Sequence, residues 1–148
     1  MEKQMDACVP HEKPRLDLAL NNLTGTTGVL AGVVAAEDGL PIAVRLRSDQ
    51  NGEVWAAAAS AMGRIGRKVL AKLSKGELQV GVFDTDRYRL LVRPISLGYL
   101  LAVCEPETNI GLVTMELEAS ANALDQSLAL IAPRAAADPV YRKGAEQP

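Results

Sequence analysis

A proline-free, alanine-rich segment from Glu53 to Leu73 constrains the fold of this chain more than any other feature. Its composition predicts one long helix. At about 100° per residue, the larger apolar side chains form one continuous face: Val54, Trp55, Ala58, Met62, Ile65, Val69 and Leu73. We expect this face to cover a sheet, because an amphipathic helix buries its apolar side.

Beside that face the helix carries a strip of mostly small residues: Ala56, Ala59, Gly63, Gly66 and Leu70. Each glycine costs about 1 kcal/mol in a helix interior relative to alanine, so a specific contact must favour it. That contact is either close packing on the chain's own sheet or close approach by the helix of a second copy. We favour the second copy, since larger residues already fill the predicted sheet-facing positions.

The third side of the helix carries cations and no acid: Arg64, Arg67, Lys68 and Lys72. These residues form either an ordinary solvated face or a contact surface for an acidic partner. The chain as a whole has a formal net charge of −2 and a pI near 5.4, which argues against nucleic-acid binding. A local basic patch on a protein of negative charge suits the steering of an acidic protein partner.

The chain has 148 residues, a length typical of one compact domain. Both ends are polar and lack a periodic apolar stripe, so we expect a flexible arm over 1–13, a domain over 14–132 and a disordered tail over 133–148. We expect both ends to be dispensable for folding. The sequence lacks a signal peptide and an apolar run of ~18 residues, and its two cysteines, Cys8 and Cys104, indicate no disulfide framework. These features predict a cytoplasmic protein that does not insert into membranes.

Five segments have the composition of strands. Val29–Ala36 and Tyr99–Cys104 are apolar almost throughout, as expected for central strands that are buried on both faces. Apolar and polar residues alternate in Ile42–Arg47 and Glu77–Phe83, as is typical of half-exposed edge strands. These are the second and third strands in chain order, and Tyr88–Ile95 is the fourth. In the second strand, alternation places three apolar residues on one side: Ile42, Val44 and Leu46.

The connections between these strands predict their order in the sheet. Asp38-Gly39 is a hairpin signal, and short turns join the last three strands into a meander. With the two apolar strands adjacent, the order is 2-1-5-4-3, and the long helix must cross from one edge to the other. Its 21 residues span roughly 31 Å, which exceeds the ~19 Å between the edges of five strands. A short helix, with Pro14 in its first turn and apolar residues from Leu16 to Leu23, and a last helix over about Ile110–Ala132 then cover the other face. The result is a three-layer α/β sandwich with a mainly antiparallel sheet.

The sequence contains no set of residues typical of catalysis. Thr24–Gly28 has glycines and threonines but lacks the lysine of a phosphate-binding loop and precedes a strand, so we predict a turn. His11 has no metal-ligand spacing to a cysteine, and Cys104 is interpreted as a core residue. We therefore predict no catalytic residue, no cofactor and no metal.

Several short motifs, taken in order, resemble the roadblock (dynein light-chain-like) domain family over about Leu16–Ala132. The motifs are Leu20-Asn21-Asn22-Leu23 before Gly28-Val29, Asp38–Ala43, Ala56–Ala59, Lys75–Leu78, Leu100–Val103 and Asn109–Leu112. The resemblance implies a non-catalytic homodimer that pairs through its third strands and packs its long helices together. The implied interface combines the strip of small residues with two strand positions: Ala56, Ala59, Gly63, Gly66, Leu70, Gln79 and Gly81.

Bacterial members of this family resemble partners and GTPase-activating regulators of small Ras-like GTPases. The resemblance therefore implies that the basic face of Arg64, Arg67, Lys68 and Lys72 contacts such a GTPase. It also implies regulation by rearranging the GTPase, since a rigid helix is a poor platform for an inserted arginine. The alternative function is a small-ligand sensor, or a general protein-protein interaction module, of profilin-like fold.

Overall fold

A computed structural model of the protein describes residues 13–47 and 51–136. This part of the chain contains three helices and one sheet of five strands. In chain order the elements are α1 (Lys13–Thr24), β1 (Val29–Ala36), β2 (Pro41–Leu46), α2 (Gly52–Leu73), β3 (Gly81–Asp84), β4 (Arg89–Ile95), β5 (Gly98–Cys104) and α3 (Ile110–Ala136).

The strands lie in the order β2-β1-β5-β4-β3, and each neighbouring pair is antiparallel. The predicted order is therefore confirmed. The two strands without charged side chains, β1 and β5, are adjacent, with Val33 opposite Leu101. Both need cover on two faces, and the sheet centre provides it.

The helices form a layer on each face of the sheet, as predicted. On one face α1 and α3 bury leucines against β1, β4 and β5, among them Leu20, Leu23 and Leu117. On the other face α2 packs against β1, β4 and β5 through Ala56 and Ala59. The result is a three-layer α/β sandwich with two separate apolar cores.

Local hydrogen bonds set both ends of α2. The Asn51 side chain accepts from the backbone N–H groups of Glu53 at 3.0 Å and Val54 at 3.4 Å, which satisfies two donors of the first turn. At the other end Ser74 adopts a left-handed conformation, with φ 52° and ψ 42°, and its N–H donates to the Ala71 carbonyl. The predicted helix is confirmed, with one residue added at its start.

A bulge in β2 corrects the predicted face of Ile42. Val34 pairs with Ala43, but the next residue of β1, Ala35, pairs with Pro41, so Ile42 is an extra residue in the ladder. Ile42 therefore packs on the core beneath α1 and α3, whereas Val44 and Leu46 pack on the core beneath α2. The three residues do not share one face.

Strand β3 is shorter than the predicted Glu77–Phe83 and begins only at Gly81. Gly81 pairs with Val92, so a continued ladder would place Gln79 opposite Pro94. Proline has no N–H to donate. The Arg93 Nη1 instead donates to the Gln79 carbonyl at 3.1 Å, and residues 77–80 run beside β4 without strand pairing.

The last helix begins as predicted and ends later. The Asn109 side chain accepts from the Leu112 N–H at 3.1 Å, and α3 continues to Ala136, beyond the predicted end near Ala132. Lys13, assigned to the arm, already belongs to α1. The rest of the arm and the tail beyond residue 136 lie outside the described residues and remain predictions. None of the helices in the described ranges is long and apolar enough to cross a membrane.

Candidate partner-binding surface

The side of α2 that faces the sheet carries its small residues. Ala56, Ala59, Ser60 and Gly63 are buried, and a Cβ on Gly63 would overlap the aromatic ring of Tyr99. The predicted assignment, with large residues inward and small residues toward a second copy, is wrong. The reason is the volume of Tyr99, because its ring fills the space above β5 that a larger helix residue would need.

This orientation corrects part of the predicted dimer interface. Ala56, Ala59 and Gly63 contact the chain's own sheet and are not accessible to a second copy. Gly66 and Leu70 are half-buried, and a Cβ on Gly66 would lie 3.3 Å from Leu78 Cδ2. Their contribution to an interface remains a prediction.

The outward side of α2 carries large apolar side chains. We define the apolar stripe as Val54, Ile65, Val69 and Leu73, which are 58%, 64%, 50% and 57% exposed. From the same predicted face, Trp55 and Met62 are half-buried, and the Trp55 ring meets Tyr88 edge-on at 5.2 Å between ring centres. Contiguous exposed apolar side chains are typical of protein contact surfaces.

Strand β3 lies at one edge of the sheet and has one strand neighbour, β4. Gln79, predicted for the interface, is exposed and precedes the strand, while Gly81 is half-buried and opens it. Phe83 is 39% exposed and lies on the α2 side of the sheet, since its partner Leu90 belongs to the core beneath α2. An edge strand with unpaired backbone groups invites pairing with another strand.

The four predicted cations of α2 are all exposed, but they are not equivalent. The Arg67 Nη1 donates to Glu37 Oε1 at 3.3 Å and to the Tyr99 hydroxyl at 3.2 Å. The hydrogen bond with Tyr99 raises the pKa of Arg67, and the negative charges of Glu37 and Glu77 raise it further. The sequence predicts no acid on this side of α2. The structure corrects this expectation, because the β1–β2 turn places Glu37 beside Arg67.

The other three cations remain available. The Arg64 Nε donates to the Ser60 carbonyl of its own helix at 3.4 Å. Within the described ranges, Lys68 and Lys72 have no hydrogen-bond or ion-pair partner. Arg64, Lys68 and Lys72 are therefore the residues of the basic face that can meet an incoming anion.

A surface cleft of about 710 Å³ opens beside this basic face, and we call it the α2 cleft. Arg64, Arg67 and Lys68 line it from α2, and its other charged residues come from different elements: Glu37, Glu77 and Asp125. Sequence reasoning missed the cleft, because its walls are brought together only by folding. The exposed cations on α2 were its one signal in the sequence.

The remaining sequence candidates have structural roles. Residues 25–28 form a turn, as predicted, and Thr24 is the last residue of α1. The Val29 N–H donates to the Thr26 carbonyl at 3.1 Å. Cys104 is a core residue, as predicted, and burial raises the pKa of its thiol to about 12. No group of three or more potential metal-ligating residues occurs in the part of the chain that the structure describes. Cys8 and His11 lie outside it.

Comparison with known proteins identifies the family. The family model of the Roadblock/LC7 domain matches residues 15–105. The chain belongs to the Roadblock/LC7 domain family. An uncharacterised protein of Methanocaldococcus jannaschii is 25% identical over 107 residues, which are 72% of this chain and 94% of that protein.

Solved Roadblock-type structures share the fold. Myxococcus xanthus MglB superposes with a TM-score of 0.73 at 11% identity, over 82% of this chain and 93% of that chain. A structure described as MglB with tetrameric arrangement gives a TM-score of 0.68 at 17% identity, over 76% of this chain and 87% of that chain. At these identities the likeness establishes the fold.

Proposed function

We propose that this Roadblock/LC7 protein is a non-catalytic homodimeric scaffold that binds a small Ras-like GTPase and modulates its GTP hydrolysis. The observation that carries the proposal is the orientation of α2. Its small residues pack against the chain's own sheet, and the apolar stripe remains exposed. A scaffold that acts by contact needs such a surface.

The apolar stripe and the β3 edge support self-association. Each stripe residue is about half exposed, so covering it contributes on the order of 1 kcal/mol. A two-fold related copy would supply the same residues, doubling that gain, and paired β3 edges would join the two sheets. The tetrameric arrangement described for MglB supports self-association within this fold.

The basic side of α2 supports a protein partner with an acidic surface. Arg64, Lys68 and Lys72 project from one rigid helix without ion-pair partners in the described ranges. Exposed charges of this kind raise association rates more than they raise affinity. The family resemblance gives the class of partner, a small Ras-like GTPase.

The buried polar groups support a scaffold over an enzyme or a ligand sensor. The buried serine and threonine hydroxyls of the described residues donate to backbone carbonyls: Thr24 to Leu20, Ser60 to Glu37, Thr108 to Glu105 and Ser120 to Ala19. The hydroxyl of buried Tyr99 is hydrogen-bonded to Arg67 and Glu37 at the protein surface. A ligand sensor needs a few polar groups that converge on its pocket. Here these groups join elements of the fold to one another.

The test is co-elution of the purified protein with a small Ras-like GTPase from the same organism, loaded with GDP or a GTP analogue. We expect a dimer mass alone and a complex with the GTPase, weakened by Arg64→Glu with Lys72→Glu. Arg67 is left unchanged because it holds Glu37 and Tyr99. Arg64→Glu alone has the same change of charge as Arg15→Glu on the opposite layer, and Arg15→Glu should leave binding unchanged.

Two results would contradict the proposal. A monomer mass at micromolar concentration would remove the scaffold arrangement. Failure of the protein to bind the GTPase in either nucleotide state would contradict the GTPase partner and favour a dimeric adaptor for another protein. Equal losses in Arg15→Glu would show that the basic side of α2 has no special role.

A further inference from the structure

The α2 cleft separates charges that are already paired from charges that are free. Arg67 is engaged by Glu37 and Tyr99, and Asp125 Oδ1 accepts from the Ser96 N–H at 2.9 Å. Arg64 and Lys68 line the cleft without an anionic partner in the described ranges. The cleft thus presents two available cations from a single helix.

The carboxylates of the cleft come from elements other than α2. Glu77 belongs to the segment before β3, and Asp125 belongs to α3, in the opposite layer of the sandwich. Arg64 and Lys68 therefore lie on the opposite side of the β4–β5 turn from Asp125. A compact polyanion would meet acids as well as bases in this cleft, so charge complementarity disfavours it.

The spacing of the two free cations matches an extended chain. Residues four apart on a helix are displaced by about 6 Å along its axis. Alternate side chains of an extended strand point to the same side and are about 6.7 Å apart. The intervening side chain of such a strand points the other way.

Part of the surface between these charges is apolar. Leu78, Pro94 and Ile95 line it, and nothing lies within 4 Å of the Cβ direction of Gly76. We propose that the α2 cleft binds an extended peptide segment with alternating acidic and basic side chains. Its acids pair with Arg64 and Lys68, and its bases face Glu77 and Asp125. The inference rests on the proposed function in that the segment belongs to a protein partner.

The test uses two peptides of the same composition and net charge. One alternates, acetyl-Gly-Glu-Lys-Glu-Lys-Gly-amide, and the other is blocked, acetyl-Gly-Glu-Glu-Lys-Lys-Gly-amide. Each is titrated into the isotopically labelled full-length protein, and amide shifts are followed by NMR. We expect the alternating peptide to bind at least about threefold more tightly and to shift Arg64, Lys68, Gly76 and Leu78, since exposed ion pairs contribute up to about fivefold each.

Substitutions on one helix supply the matched control. Lys68→Gln and Lys72→Gln remove the same charge from α2, but Lys68 lines the cleft and Lys72 does not. We expect Lys68→Gln to weaken the alternating peptide about threefold, with little change in Lys72→Gln. Both residues are exposed, so both variants should retain the amide spectrum of the folded protein.

Equal affinity for the two peptides, or equal losses in Lys68→Gln and Lys72→Gln, would overturn the inference. No GTPase is present in this assay, so its outcome is independent of the GTPase test. Peptide binding without GTPase binding would support the peptide site in the cleft and contradict the proposal that the partner is a GTPase. GTPase binding without discrimination between the peptides would support the scaffold function and contradict the peptide site in the cleft.

Discussion

The two helical layers of the sandwich bury opposite kinds of side chain. In the α1/α3 layer the helices supply the volume, with Leu20, Leu23 and Leu117 buried against the sheet. In the α2 layer the fully buried helix residues are small: Ala56, Ala59, Ser60 and Gly63, with Trp55 and Met62 half-buried beside them. There the strands supply the volume, above all through Tyr99, Leu101 and Val103 of β5.

This difference shows that residue size along a helix does not by itself indicate its buried side. A helix with small inward residues lies close to the sheet, and strand side chains fill the space. Its large apolar residues then remain outside, as Ile65 at 64% exposure does. In the α1/α3 layer the helix leucines face the core, whereas in the α2 layer the apolar stripe faces outward.

The largest expected effect comes from enlarging the inner side of α2. Gly63→Leu places a branched side chain where the Tyr99 ring lies, so the helix or the ring must move. We expect the free energy of unfolding to fall by about 3 kcal/mol or more, as for a severely overpacked core. Urea unfolding followed by circular dichroism measures this change.

The control is Ala61→Leu on the exposed side of the same helix. It adds the same leucine without contact to the sheet, and we expect a change within about 0.5 kcal/mol. A Gly63→Leu protein that unfolds like wild type but forms a weaker dimer would reverse the comparison. Gly63 would then face a second copy.

The second expected effect is on association. Ile65→Glu with Val69→Glu places two carboxylates in the apolar stripe, where a second copy would have to desolvate them. We expect the dimer dissociation constant to rise by about 100-fold, with an unchanged melting temperature once the loss of dimer is allowed for. Light scattering across a dilution series measures the mass.

A matched substitution in the other layer distinguishes a specific surface from general apolar exposure. Met115 on α3 is 71% exposed, so Met115→Glu changes an equally accessible apolar residue. We expect no change in mass. If Met115→Glu dissociates the dimer and the stripe variant does not, the interface lies on the α1/α3 layer.

The sheet order could be predicted because β1 and β5 are apolar at consecutive positions. Such strands must be central, and hairpin signals such as Asp38-Gly39 then leave one arrangement. The span of α2 followed equally from local signals, since Asn51 and Ser74 lie at its ends. These features depend on neighbours in sequence.

Three of the errors concern contacts between residues that are not neighbours in sequence. The inward side of α2 depends on Tyr99, and the start of β3 depends on the missing N–H of Pro94. The ion pair of Arg67 depends on Glu37, 30 residues away. Periodicity along one segment carries no information about the shape or charge of the segment that it meets.

The smallest expected effect tests the hydroxyl that ties α2 to the sheet. Tyr99→Phe keeps the ring beneath Gly63 and removes the oxygen that accepts from Arg67 and donates to Glu37 Oε1 at 3.4 Å. We expect a loss of about 1 kcal/mol in the free energy of unfolding, typical of one hydrogen bond. Tyr88→Phe is the control, because in the described residues its ring packs against Trp55 and its hydroxyl has no hydrogen bond. Equal losses in the two variants would mean that the Tyr99 hydroxyl adds nothing, and that ring volume alone holds α2 in place.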